Sequence, residues 1–123
     1  MSAAIDTGYE AAMQEAMDKW AKMTPEKRSS YSQRLRATTI ELISSRISRL
    51  GITPKELAHR TGYTTAWVSN AINLKGASGF TAVVELASAV GYPPSFFVSL
   101  AEDLIAMEDE KSKALGLVKN EEE

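Results

Sequence analysis

The 123-residue chain contains no cysteine, which excludes disulfides, thiolate nucleophiles and cysteine-rich zinc sites. Its one histidine, His59, stands without a set of Asp, Glu or Cys partners, so no metal site and no catalytic role is assigned to it. Paired carboxylates, a histidine-based site and a phosphate-cradling glycine loop are all missing, and an enzyme is therefore not expected. Long apolar runs are missing too: Ser, Gly or a charge interrupts each one before the length a membrane span needs. The first residues carry Asp6 and Glu10 where an export signal has basic groups, so a cytoplasmic protein without membrane attachment is expected. Alternation of apolar and polar residues at a strand period is absent, as is any internal repeat, and the expected fold class is all-α.

What is present is ordinary globular composition, 44% hydrophobic and 24% charged, in a length that suits one compact domain with an appended element. The net charge of −2 hides an uneven distribution. Residues 1–32 carry four basic and five acidic side chains, residues 33–100 seven and three, and residues 101–123 three and eight. A basic middle between acidic flanks places any attraction for phosphate in the central segment.

Helical periodicity runs along most of the chain. Tyr9, Met13, Met17 and Trp20 recur at steps of three or four, which predicts an amphipathic helix over 4–22. Thr24-Pro25 then reads as an N-cap and first helical residue, opening a helix with Tyr31, Leu35, Ile43, Ile47 and Leu50 on or near one face and Gly51 as its stop. Thr53-Pro54-Lys55-Glu56 has the form of a capping box, in which the Thr oxygen takes the Glu56 N–H and the Glu56 carboxylate reaches back. That helix is predicted to end near Thr61 because Gly62 follows, and Thr64 offers a fresh N-cap for a segment from Thr65 to Asn73. Gly76 to Gly79 reads as a loop. Phe80, Val83, Val84, Leu86, Ala87 and Val90 predict a largely buried helix stopped by Gly91. A last helix is predicted from Pro94 or Ser95 to about Glu108, with Phe96, Phe97, Leu100, Leu104 and Met107 at helical spacing and an acidic, fraying tail beyond.

The two short helices carry the most informative spacing. Leu57, Ala58, Gly62, Tyr63, Val68 and Ile72 each have a steric task in packing the two helices: Gly62 allows a turn with positive φ, Leu57, Val68 and Ile72 are placed to point inward, and Ala58 is small where the second helix crosses the first. Thr65, Ala66, Ser69, Asn70 and Asn73 then face outward.

This pattern, followed by Glu85-Leu86-Ala87-Ser88-Ala89-Val90-Gly91, resembles the lambda-repressor-like group of Cro and repressor proteins, the XRE family, over roughly Leu35 to Leu100. The resemblance implies a five-helix helix-turn-helix domain, here with an added N-terminal amphipathic helix. It implies that 65–73 enters the major groove while 54–60 crosses the phosphate backbone, in a dimer that reads a palindromic operator with half-sites about 34 Å apart. The family often has Gln at the first position of each short helix, whereas this chain has Pro54 and Thr65. Pro54 can donate no hydrogen bond, which moves backbone anchoring toward Thr53, Lys55, Thr64, Asn73 and Lys75. Base contacts are expected from Asn70, whose amide can pair bidentately with adenine, from the Ser69 and Thr65 hydroxyls, and from Ala66 or the Thr65 methyl against a thymine methyl. No arginine is placed on this helix to recognise guanine.

Trp67 has two readings, an indole N–H against sugar and phosphate or a ring packed between the short helices. Arg34, Arg36, Arg46 and Arg49 either track phosphate or lie solvated along helix faces. The expected organisation is a helical extension at 1–32, a DNA-binding domain at 33–107 and a flexible acidic tail at 108–123. Tyr9, Met13, Met17 and Trp20, with Phe96, Phe97, Leu100 and Leu104, are candidates for a homodimer interface, against the alternative that the first helix docks within its own chain. Too few residues follow Leu100 for the self-cleaving domain of longer phage repressors. The expected function is that of a bacterial or phage repressor without cofactor. The alternative is an antitoxin-type autoregulator whose termini bind a protein partner.

Overall fold

The computed structural model describes residues 3–75 and 79–116, and among these it contains six helices and no strand. They are α1 (Ala3–Trp20), α2 (Pro25–Leu50), α3 (Pro54–Thr61), α4 (Thr65–Ile72), α5 (Gly79–Ala89) and α6 (Pro94–Ala114). The protein is thus all-α. The chain divides into two compact units, Met1–Ser32 and Gln33–Glu123, with α2 running through the division. No single described helix is long and apolar enough to cross a membrane.

In the first unit, α1 ends at Trp20 and a short turn leads to α2. Thr24 caps α2 as its sequence indicated, its Oγ1 accepting the Lys27 N–H at 3.2 Å. The Trp20 and Tyr31 rings meet edge to face, 5.0 Å between centroids.

In the second unit the core is contiguous. Ile40, Ile43 and Ile47 of α2 are buried together with Leu57, Val68, Ala71, Val83, Leu86, Ala87 and Phe97 from the four other helices. Their spacing within each helix is three or four, which keeps them on one face. Ile40, absent from the sequence-predicted face, is 1% exposed, whereas Leu50, placed on that face, is 47% exposed. Leu50 closes the last turn, where the chain has begun to leave the core.

Two helix ends share one geometry. At α2, Gly51 takes φ 68° and the Ile52 N–H reaches the Ile47 carbonyl at 3.1 Å, while after α5 the Tyr92 N–H reaches the Ala87 carbonyl at 3.1 Å around Gly91 at φ 88°. Side chains add further ties. Arg60 Nη1 donates to the Ala89 carbonyl at 2.9 Å, which holds α3 to the C-terminal end of α5. Arg46 lies 5.6 Å from the centre of the Tyr92 ring.

Several sequence expectations are corrected here. α5 is amphipathic, not largely buried: Ala82, Val83, Leu86 and Ala87 face the core, but Phe80 is 72% exposed and Val84 is exposed as well. Gly79, expected in the loop, is the first residue of α5; Gly76, Ala77 and Ser78 lie outside the described residues. α6 continues six residues past Glu108, and Arg34 of α2 holds this extension through Asp109 at 2.8 Å. An ion pair this exposed contributes under about 1 kcal/mol, so burial of Ala101 and Ile105 is the main reason α6 stays packed. The acidic end at 117–123, expected to be a flexible tail, lies outside the described residues.

Candidate nucleic-acid interface

Two helices of eight residues, each below the length that is stable alone in water, are held by their caps and their buried faces. For α3 the Glu56 N–H donates to Thr53 Oγ1 at 3.2 Å. The reciprocal half of the expected capping box is replaced, because the Glu56 carboxylate instead takes Arg60 Nε at 3.1 Å one turn along the helix. Gly62 then turns the chain at φ 79°, its N–H donating to the Ala58 carbonyl at 2.9 Å. Open space surrounds the position a Cβ would take at Gly62, so the need for glycine lies in the backbone angle. Three residues, 62–64, connect the helices. Thr64 caps α4, its Oγ1 accepting the Trp67 N–H at 3.0 Å while its own hydroxyl proton stays available to an acceptor.

α4 has two distinct faces. Val68 and Ala71 are buried and Ile72 is half-buried against the core. On the other side Thr65, Ala66, Ser69, Asn70 and Asn73 are all exposed. The two asparagines differ. Asn73 Nδ2 donates to the Ser69 carbonyl at 2.8 Å, which ties the expected phosphate donor to its own helix. No hydrogen bond among the described residues engages the Asn70 amide, so both its donor and its acceptor are open to solvent.

α4 ends less comfortably than its neighbours. Leu74 adopts φ 60°, a left-handed conformation that its Cβ disfavours, and the Lys75 N–H closes the turn on the Asn70 carbonyl at 2.7 Å. Replacing Leu74 with glycine should therefore raise the unfolding free energy by about 1 kcal/mol, read by urea denaturation. An unchanged or lowered midpoint would mean that the half-exposed leucine side chain contributes more than the backbone conformation loses.

Of the basic residues in the central segment, Arg34, Arg46 and Arg60 are drawn into the contacts described above. Buried guanidinium nitrogens of Arg36 meet no partner among the described residues. Lys55 at the start of α3 and Lys75 after α4 are exposed, and no ion pair within the described residues involves either. The Trp67 ring is half-buried against the core and stacks on Tyr63, 4.0 Å between centroids with 13° between planes. Tyr63 is among the residues to which the sequence assigned a steric task in packing the two short helices, and its ring lies stacked on that of Trp67.

The expected interface residues fall into different environments. Tyr9, Met13 and Met17 are 62%, 45% and 57% exposed, and Trp20 is half-buried beside Tyr31. On α6, Phe96 and Leu100 are exposed and Leu104 half-buried, but Phe97 is only 3% exposed. Phe97 is a core residue and cannot contribute to a surface contact; its place in the α6 stripe is one step toward the interior from Phe96. Among the described residues no cluster of three His, Cys, Asp or Glu side chains is placed to hold a metal ion.

Comparison of the chain with protein-family models, with curated proteins and with solved structures finds no match in any of the three.

Proposed function

We propose that the chain is a sequence-specific DNA-binding transcription regulator of the lambda-repressor-like kind, a cytoplasmic homodimer that represses by occupying a palindromic operator. The observation that carries this is the two-sided character of α4: an apolar side fixed in the core, and an outward side of Thr65, Ala66, Ser69 and Asn70 with the Asn70 amide unengaged by the rest of the described chain. An amide, two hydroxyls and a methyl group on one rigid helix match the donors, acceptors and thymine methyl that a major groove displays. α3, lying against α4 with Thr53 and Lys55 at its outer end, would cross the phosphates, and Lys75 would flank the groove from the other end. Such a regulator needs neither a cofactor nor catalysis.

Selection of bound sites from random duplexes tests this directly. Enrichment of a two-fold symmetric sequence is the expected result, and failure to enrich any sequence above background would refute it. A second measurement separates the contact types. Lys75→Ala should weaken binding to all duplexes alike and lower the slope of log K against log salt by about 1, because one phosphate contact is lost. An unchanged salt slope would remove Lys75 from the interface.

The exposed Tyr9, Met13 and Met17 favour one further reading, an antitoxin-type autoregulator that holds a protein partner on α1 while the second unit binds its own operator. A stoichiometric protein that copurifies from the native host would support it.

A further inference from the structure

We infer that α1 is a self-recognition helix that pairs antiparallel with the α1 of a second copy, in a register where residue i faces residue 29−i. This rests on the homodimer proposed above and assigns its contact. α1 exposes Tyr9, Met13 and Met17 at helical spacing, an apolar stripe that water disfavours and that a like helix can cover. The charges select the occupant and its direction. Between Gly8 and Lys22 the acidic groups come first, at Glu10, Glu15 and Asp18, and the basic groups last, at Lys19 and Lys22. Parallel pairing sets like ends together, whereas antiparallel pairing sets Glu10 of one copy beside Lys19 of the other, twice by symmetry. The same register places Met17 opposite Ala12 and Met13 opposite Ala16, so each methionine meets a small side chain, and it sets Tyr9 against Trp20, ring against ring. A partner of unrelated sequence has no reason to offer a lysine at Glu10 together with alanines at both methionines, and a second copy offers them automatically.

The absence of native cysteine makes the test clean, since each introduced thiol is unique. In the inferred register the two Ala16 positions lie about 5 Å apart along the helix axes and the two Tyr9 positions about 16 Å apart. Only the first is within disulfide reach. In the full-length chain, Ala16→Cys should therefore crosslink to itself under mild oxidation and Tyr9→Cys should not. Glu10→Lys should weaken the dimer about tenfold by sedimentation equilibrium, because two attractive contacts become repulsive, and adding Lys19→Glu should restore it. Unchanged helical circular dichroism in each variant excludes loss of fold. A chain that stays monomeric across the concentration series, a dimer whose Tyr9→Cys variant crosslinks as fast as Ala16→Cys, or indifference to charge reversal would each overturn the pairing. Binding to a duplex with one half-site separates the two proposals. Retained half-site binding by a chain that does not pair refutes the pairing alone, and lost binding by a chain that pairs refutes the DNA reading alone.

Discussion

Truncating Leu57 to alanine should lower the unfolding free energy by about 2–5 kcal/mol, the largest stability effect expected of any single change in α3. Leu57 is completely buried, in a core shared with Val68 of α4 and Leu86 of α5, and α3 packs on both of those helices. Removing its three outer carbon atoms loses their transfer free energy and leaves a cavity that three helices would have to close together. The measurement is a urea melt in which the midpoint falls and the slope stays constant, or a thermal melt displaced by about 4–8 °C for each kcal/mol. A change within about 0.5 kcal/mol, as at a surface site, would show that α3 is not seated on the core. The consequence reaches beyond stability. Neither α3 nor α4 is long enough to persist alone, so the angle at which α4 presents its outer side depends on the contacts Leu57 and Val68 make.

Much of this arrangement is legible in the residues, and the reason is local chemistry. Thr24, Thr53 and Thr64 each precede a helix and each cap it through the hydroxyl, and Gly51, Gly62 and Gly91 each take positive φ where a helix stops. Caps and left-handed stops depend on a few neighbouring residues, so spacing in sequence reports them directly. The second half of the capping box depends on competition, and there sequence falls short. The Glu56 carboxylate has the Thr53 N–H behind it and Arg60 one turn ahead, and only packing of α3 on α5, which brings Arg60 to the Ala89 carbonyl, decides between them.

Burial on apolar helices is the less legible part. Phe80 and Val84 share a helix with Val83 and Leu86, and composition cannot say which of two apolar faces meets the core. Phe96 and Phe97 pose the same difficulty at adjacent positions: one is surface and the other core, because successive residues on a helix point about 100° apart. The strain at Leu74 has no sequence signal, since a glycine is what such a turn normally displays. It follows from α4 having to end within reach of Asn70 while Ile72 stays against the core.

The outward positions of α4 carry the largest functional effect expected. Asn70→Ala should reduce affinity for the best selected duplex by about 1–3 kcal/mol, a factor of roughly 5 to 150, and relax the preference at a single base pair. The side chain is exposed and makes no hydrogen bond among the described residues, so its removal should leave unfolding within about 0.5 kcal/mol of the parent chain. That separation gives the experiment its force: affinity falls with no change in the melt, and only on duplexes that retain the cognate base. Substituting that base for the other three should cost the parent chain about as much as the alanine change costs, and should cost the alanine variant nothing further, since the donor and acceptor that discriminated are already gone. Ser69→Ala, one residue away on the same face, should produce a smaller loss at a neighbouring position, because one hydroxyl offers a single directional contact where an amide offers two. If Asn70→Ala and the parent chain bound the selected site equally and showed the same base preferences, α4 would not be the reading element. The exposed amide would then be only a solvated surface group.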